Sequence, residues 1–524
     1  MALRLVLRLA LHLAALVVAG PCLLGCGRRA ELPAGPLIQI VGETVKVRRG
    51  EPPPAASAIF DGRTIRLRGA RGETLGLQVL LYRTGARAVS LALSEPGIAV
   101  QPFRVGYLTV AEPSSGLYGP SLGAGVYPDR LTPATGPVSA DDEVYFDVAI
   151  ARGAAPGRRR GELAIGAQRF PIELTVEPVD VDLERAPLVW VWYKSGELAG
   201  AHRLTDGDTP AQIALERSYM GLFRRHGALL ATDHTPDRLR ARLDFMTDDV
   251  RFWPVLVAKR DAGKRATDVA AWLELFRGRP QIPFTFTIDE PKEDQRETVR
   301  QNGLEIRAAG GGAPRLLFAV TDQARPIYRG AVDVFVSPAS IPPPSGYGPD
   351  THFWTYNGRS PGAGNVTIDK PGTALRTWGW IAQRYSVELW YAWEGLYFTD
   401  RYNRATRPTD LMNQPLTYDE RRRGGDELGN GDGLLAYPGP LPSLRLKALR
   451  RGLLDRLLLR RLDQCGAGGR DEAARLTRQM IPRALGEAGD DEQSWPDDEP
   501  AWERARGAVL DAILARCGGD RRVP

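Results

Sequence analysis

The sequence predicts a multidomain β plus α/β protein: an N-terminal antiparallel β-sandwich, then a (β/α)8 barrel, then a short C-terminal helical extension. Three observations predict it. Residues 37–182 break into seven or more short β-prone runs divided by Gly, Pro and Asp turns. From residue 186 eight apolar runs alternate with helix-periodic stretches. Beyond residue 464 the periodicity is helical only.

At 524 residues the chain exceeds one ordinary domain, and its 43% hydrophobic and 25% charged residues are ordinary globular values. The formal charge of +6 is modest. No basic block alternates with aromatics, so nucleic acid is excluded as a partner. Arg158-Arg159-Arg160 and Arg421-Arg422-Arg423 are expected to be solvated loops.

Residues 1–25 are predicted to be a lipoprotein signal peptide. Arg4 and Arg8 form a basic start, an apolar run covers 9–20, and Leu23-Leu24-Gly25-Cys26 resembles a lipobox. Cys26 is then the lipidated N-terminus that tethers the mature chain to a membrane. The alternative is an ordinary signal peptide or a short membrane anchor. The predicted location is the cell envelope. The outer membrane is favoured, because Gly27 does not resemble an inner-membrane retention signal. Residues 26–36 form a polar, proline-bearing linker.

Of the four cysteines, Cys22 leaves with the leader and Cys26 is acylated, which leaves Cys465 and Cys517. In an exported chain they form one disulfide or remain two buried thiols. There is no CxxC pair and no HExxH motif. No metal and no cofactor is expected.

The sandwich (37–182) carries no catalytic constellation and is expected to support its neighbour. In the barrel (186–464) the candidate strands are 188–193, 228–231, 252–257, 283–289, 316–320, 332–336, 353–356 and 387–393. Helical periodicity covers 210–226, 266–277, 292–309 and 374–384. A doubly wound open sheet is the competing fold. Residues 397–441 lack periodicity and are expected to shape a pocket rim. Ser443 is expected to cap a helix running to about 462. The extension (465–524) adds helices near 470–485 and 500–516.

The chemistry is placed at residues 282–291, IPFTFTIDEP. Asp-Glu occurs seven times in the chain, but only the copy at Asp289-Glu290 both follows a continuous apolar strand and precedes a proline. On the strand count it ends the fourth barrel strand, the end at which such barrels carry their active sites. Neighbouring strand residues point to opposite faces, so both acids meet one substrate only if the strand ends between them. Otherwise Glu290 merely caps the following helix. Many aromatic residues fall between 353 and 402, and they form either an aromatic cleft or a Trp-rich core.

The chain resembles glycoside hydrolase family 123, whose members are β-N-acetylgalactosaminidases. The resemblance rests on a series of segments. These are Leu67 to Glu73, Tyr127-Pro128-Asp129, Pro156-Gly157 with Gly161, Asp289-Glu290-Pro291, and Phe353-Trp354-Thr355-Tyr356-Asn357. Asn365, Ile368-Asp369 and Arg376 follow, then Gly431-Asp432-Gly433, Tyr437-Pro438-Gly439 and Ser443-x-Arg445-Leu446. They span about 60–460. One departure stands out: the family's last barrel helix usually carries a Glu-Asp-Tyr-like patch, whereas Arg451-Gly452-Leu453-Leu454-Asp455-Arg456 keeps only Asp455.

The resemblance implies a sandwich followed by a (β/α)8 catalytic domain, and substrate-assisted retaining hydrolysis of a carbohydrate partner. Asp289 would hold the acetamido N–H, and Glu290 would be the acid and base. Tyr356 and Asn357 are candidates to bind the acetamido group. Trp354, Trp390 and Trp393 are candidates to stack on sugar faces, with core packing as the alternative. Glu394 is a candidate ligand for a hydroxyl, and Arg376 a structural ion-pair partner. The competing function is a non-catalytic, surface glycan-binding or scaffold lipoprotein on the same fold.

Overall fold

A computed structural model describes residues 35–93, 95–311, 316–338, 347–398, 410–421, 424–489 and 492–518. The leader and Cys26 lie outside the described residues.

Strands with apolar residues at every second position build two five-stranded sheets. One holds, in spatial order, Leu37–Gly42, Thr74–Tyr82, Glu143–Ile150, Ile98–Val110 and Gly125–Pro133. The other holds Ile65–Arg71, Gln168–Asp180, Gly157–Ile165, Arg87–Ala92 and Val138–Ala140. Leu75, Leu77, Val79 and Leu81 alternate inward and meet Ile172, Leu174 and Val176 from the facing sheet. One pair departs from the antiparallel expectation: Ile65–Arg71 runs parallel to Gln168–Asp180. The two strands are joined through the other sheet, and so long a connection does not impose the hairpin geometry that makes neighbours antiparallel.

Eight parallel strands follow: Val189–Val191, Ala228–Leu230, Phe252–Pro254, Ile282–Phe286, Leu317–Val320, Val334–Ser337, His352–Tyr356 and Trp390–Ala392. They pair in chain order, and the eighth returns to the first, so the sheet curls like a barrel. The second and third strands meet at one parallel bridge, His234 with Val255, rather than along a ladder. All eight runs read from the sequence become strands. The fourth pairs only over Ile282–Phe286, three residues short of the expected end.

Aromatic rings fill the interior, with Phe284 set 4.9 Å from both Trp190 and Trp354. Helices Pro210–Arg224, Ala262–Leu275, Arg296–Ala309 and Thr377–Arg384 cover the outside. Between the fifth and sixth strands the described residues hold only a 3-10 turn, Pro326–Tyr328, so the helical layer is incomplete. Among the described residues of 397–441, Leu416–Asp419 and Leu428–Asn430 pair as antiparallel strands, which the missing periodicity did not predict.

The Ser443 hydroxyl accepts from Leu446 N–H at 3.0 Å and caps Leu444–Asp463, as its sequence position predicts. This helix lies between barrel and sandwich, and its cations are matched by sandwich acids. Arg445 pairs with Asp129 at 2.8 Å, and Lys447 with Asp147 at 2.6 Å. Arg450 reaches Asp147 at 2.6 Å and Glu43 at 3.1 Å. The extension packs here too, as Ala467–Met480 and Glu499–Cys517. Cys465 and Cys517 are joined as a disulfide, with Cα atoms 5.2 Å apart. No described helix is long and apolar enough to cross a membrane.

Candidate active site at the mouth of the curled sheet

The fourth strand's ladder stops at Phe286, and the chain bends at once. Thr287 is buried and accepts from Asn302 Nδ2 of the following helix at 3.1 Å. Asp289 and Glu290 then stand open to solvent, and Glu290 takes a left-handed backbone, φ +42°. That conformation costs a non-glycine residue on the order of 1 kcal/mol and persists only where the surroundings impose it. It also cancels the alternation that would send consecutive side chains to opposite faces.

Thr321, just past the fifth strand, ties the two residues together. Its hydroxyl accepts from Glu290 N–H at 2.6 Å and donates to Asp289 Oδ1 at 2.8 Å. Tyr356, at the end of the seventh strand, lies against the Glu290 carboxyl and favours its ionised form. Burial and the nearby charges of Glu290 and Asp289 hold the Tyr356 phenol in its protonated form. Glu290 does not cap the next helix. That turn is closed by Gln295 Oε1, which accepts from Lys292 N–H at 2.9 Å.

Electrostatics in the mouth are set first by burial and then by neighbouring carboxylates. Desolvation and the adjacent Asp289 carboxylate push the Glu290 carboxyl above the usual range. Glu420, next to the Leu416–Asp419 strand, adds to this, while the Tyr356 hydroxyl opposes it. Glu420 takes the Tyr418 hydroxyl at 2.5 Å and faces Glu427. Burial and Glu420 push the Glu427 carboxyl up to about 7.

Asp432 lies at the floor of this region and is almost fully buried, which raises its carboxyl. It takes Trp393 Nε1–H at 2.9 Å and the Tyr118 hydroxyl at 2.6 Å. Among the described residues no group of His, Cys, Asp or Glu is placed to hold a metal ion.

The other residues picked from the sequence divide. Tyr356 reaches the pocket. Asn357 is a backbone knot with φ +48°: its Oδ1 accepts from Trp393 N–H at 3.0 Å, and its carbonyl accepts from Trp390 Nε1–H at 2.7 Å. Trp393 is half-buried at the end of the eighth strand.

Three expectations are corrected. Trp354 is fully buried inside the barrel, 4.9 Å from the Phe252 ring, and its Nε1–H points to Glu388 at the opposite end. Trp390 is also buried and faces outward, stacked 4.5 Å from Trp378 of the covering helix. Glu394 is buried beneath Gly433, and its Oε1 anchors a turn by accepting from Gly395 and Leu396 N–H.

Tyr391, Asp432, Tyr118, Thr321 and Glu420 were not picked from the sequence. Strand parity finds Tyr391: if Trp390 faces out, its neighbour faces in. Tyr391 indeed stacks between Trp190, at 4.2 Å, and Tyr356, at 5.3 Å.

Asp455, the one residue of the Glu-Asp-Tyr-like patch that the chain keeps, does not touch the mouth. Asp455 is buried beside Arg376 and accepts from Trp380 Nε1–H at 2.9 Å. Arg376 pairs with Asp455 at 2.7 Å and with Glu503 of the extension at 2.6 Å, the structural role expected of it.

No protein-family profile matches the sequence, and no curated protein is similar to it. The structure superimposes on a family 123 glycoside hydrolase from Clostridium perfringens with TM-score 0.63. That structure was solved in work on glycolipid glycan hydrolysis. The match covers 92% of this chain and 98% of that one, at 11% identity. A putative α-galactosidase from Bacteroides fragilis aligns over 64% of this chain and 74% of its own, at 8% identity and TM-score 0.22. At these identities the first likeness establishes a shared fold, that of a β-sandwich joined to a curled eight-stranded parallel sheet, and the second carries nothing further.

Proposed function

We propose that the protein is an exo-acting glycoside hydrolase. It releases terminal β-linked N-acetylhexosamine, N-acetylgalactosamine in the first instance, by substrate-assisted retaining hydrolysis. The observation that carries this reading is the left-handed turn at Glu290, which sets two consecutive carboxylates at one mouth and gives the second a raised proton affinity. The fold shared with a family 123 enzyme supports it.

In this scheme the sugar's own acetamido oxygen attacks C1 as the glycosidic bond breaks. Glu290 gives its proton to the departing oxygen. Asp289 accepts the acetamido N–H and balances the positive charge of the oxazolinium ring, and Thr321 holds its carboxylate in place. Glu290, now ionised, takes a proton from water as that water adds to C1. The ring opens, and the β configuration is restored. A general acid must be protonated at the working pH, and like-charge crowding is a means to that end. Attachment to an envelope membrane through Cys26 belongs to the same proposal. Labelling with a fatty-acid analogue, lost in Cys26→Ala, checks it.

The test is turnover of chromogenic β-N-acetylgalactosaminide and β-N-acetylglucosaminide, beside the β-galactoside that lacks the acetamido group. The reading predicts release from an N-acetylated substrate and none from the galactoside. Glycan binding without any product release would favour the non-catalytic alternative. Turnover of the galactoside would contradict substrate assistance.

A further inference from the structure

The Gly431-Asp432-Gly433 segment and the sandwich loop around Tyr118 are not used by the chemistry above, yet they meet beside the mouth. Tyr118 ends a 3-10 turn, Gly116–Tyr118, that projects from the sandwich toward the barrel. Its carbonyl accepts from Asn365 Nδ2 and from Lys370 Nζ, each at 2.6 Å, so barrel residues clamp the loop. Its ring lies directly on Gly429, where even a Cβ would sit 2.7 Å from it. The phenol then donates to Asp432 Oδ2, across 314 positions of sequence.

Asp432 holds Trp393 Nε1–H with its other oxygen. Gly433, at φ +72°, closes against the same indole, because a Cβ there would lie 3.0 Å from Trp393 Cζ2. Trp393 N–H also donates to Asn357 Oδ1, and Asn357 adjoins Tyr356, which lies against the Glu290 carboxyl.

Building on the glycosidase reading, we propose that the β-sandwich completes the sugar pocket, with Tyr118 acting through Asp432 to fix the Trp393 indole as the platform for the sugar ring. Both Asp432 oxygens are engaged, so this carboxylate is a positioning group and not a second acid. The wall is a buried chain of charge-assisted hydrogen bonds, the kind that holds orientation most firmly. An indole so held offers its face to the apolar side of a sugar without the entropy loss of ordering it on binding.

The experiment uses full-length protein with 15N-tryptophan labelling, as wild type, Tyr118→Phe, Trp393→Phe and the double variant. Trp393→Phe identifies the indole N–H signal of Trp393 by deleting it. The proposal predicts that Tyr118→Phe moves that signal while thermal melting stays near wild type. It also predicts about tenfold weaker binding of N-acetylgalactosamine, the size of one lost charge-assisted hydrogen bond. In the Trp393→Phe background the same change should add nothing. Asp432→Asn should move the signal in the same way. An unmoved indole signal, or an equal tenfold loss in both backgrounds, overturns the proposal. If wild type neither binds nor hydrolyses the sugar, the glycosidase reading fails by itself. The indole signal still decides whether the sandwich positions Trp393.

Discussion

Two regions of this molecule are rich in charge, and they treat it in opposite ways. At the junction of barrel, sandwich and extension, cations and anions alternate and are buried. Arg376, Arg450, Arg451 and Arg506 face Glu43, Glu73, Asp147, Asp455 and Glu503. At the mouth of the curled sheet, Asp289, Glu290, Glu420 and Glu427 crowd together near the buried Asp432, and Glu290 and the neighbouring Asn357 have left-handed backbones. Opposite charges that cancel hold domains together. Burial and neighbouring like charges together raise a carboxyl's hold on its proton. The contrast separates structure from function more sharply than residue type does, since both regions are built from the same acids.

The largest expected effect is at the mouth. Glu290→Gln should lower kcat/KM by about 10²–10⁴, the usual worth of a general acid, with melting unchanged. Loss of folding in that variant would move Glu290 into the structural class.

The mirror experiment is at the junction. Asp455→Ala strips the partner from Arg376 and Arg506 and from the Trp380 indole. It should cost up to roughly 3 kcal/mol of unfolding free energy, because it leaves two buried cations with one carboxylate each, Arg376 with Glu503 and Arg506 with Glu73. KM of the folded fraction should not change. Urea unfolding and kinetics on the same sample check both halves.

Of comparable size, reducing the Cys465–Cys517 disulfide frees a loop spanning 52 positions. Chain entropy puts the loss at up to about 4 kcal/mol. Activity at low temperature should survive, since the extension reaches the junction and not the mouth.

The smallest effect is electrostatic. Glu420→Gln removes a negative charge that helps hold the proton on Glu290. The group must be protonated to act, so activity falls as pH rises through its pKa. Lowering that pKa should shift the alkaline limb of kcat/KM to lower pH. A limb that does not move would remove Glu420 from the site.

Much of the fold was legible because its signals are local. Eight apolar runs alternating with helical periodicity became eight parallel strands. Ser443 caps the helix it precedes, accepting from the chain three residues on. Asp289-Glu290 was legible as punctuation: a strand, two acids, then a proline that cannot extend the ladder.

The site's walls were less legible. Trp354, Trp390 and Trp393 have similar sequence surroundings, and only the sheet's inside-outside parity and depth separate interior, exterior and pocket. Tyr118 and Asp432 meet through domain packing, which no local pattern carries. Several segments behind the family resemblance hold the domains together. Asp129 pairs with Arg445, Asn365 clamps the Tyr118 carbonyl, and Asp369 takes both N–H and hydroxyl of Ser114.

The central claim is that Glu290 delivers the proton to the departing oxygen, and leaving-group dependence tests it most directly. The rate of glycosidic bond cleavage by wild type and Glu290→Gln is compared on aryl β-N-acetylgalactosaminides whose phenols range from weakly to strongly acidic. The account predicts a large deficit in Glu290→Gln for poor leaving groups that shrinks as the phenol becomes acidic enough to depart unprotonated. A deficit of the same size across the whole series would contradict it.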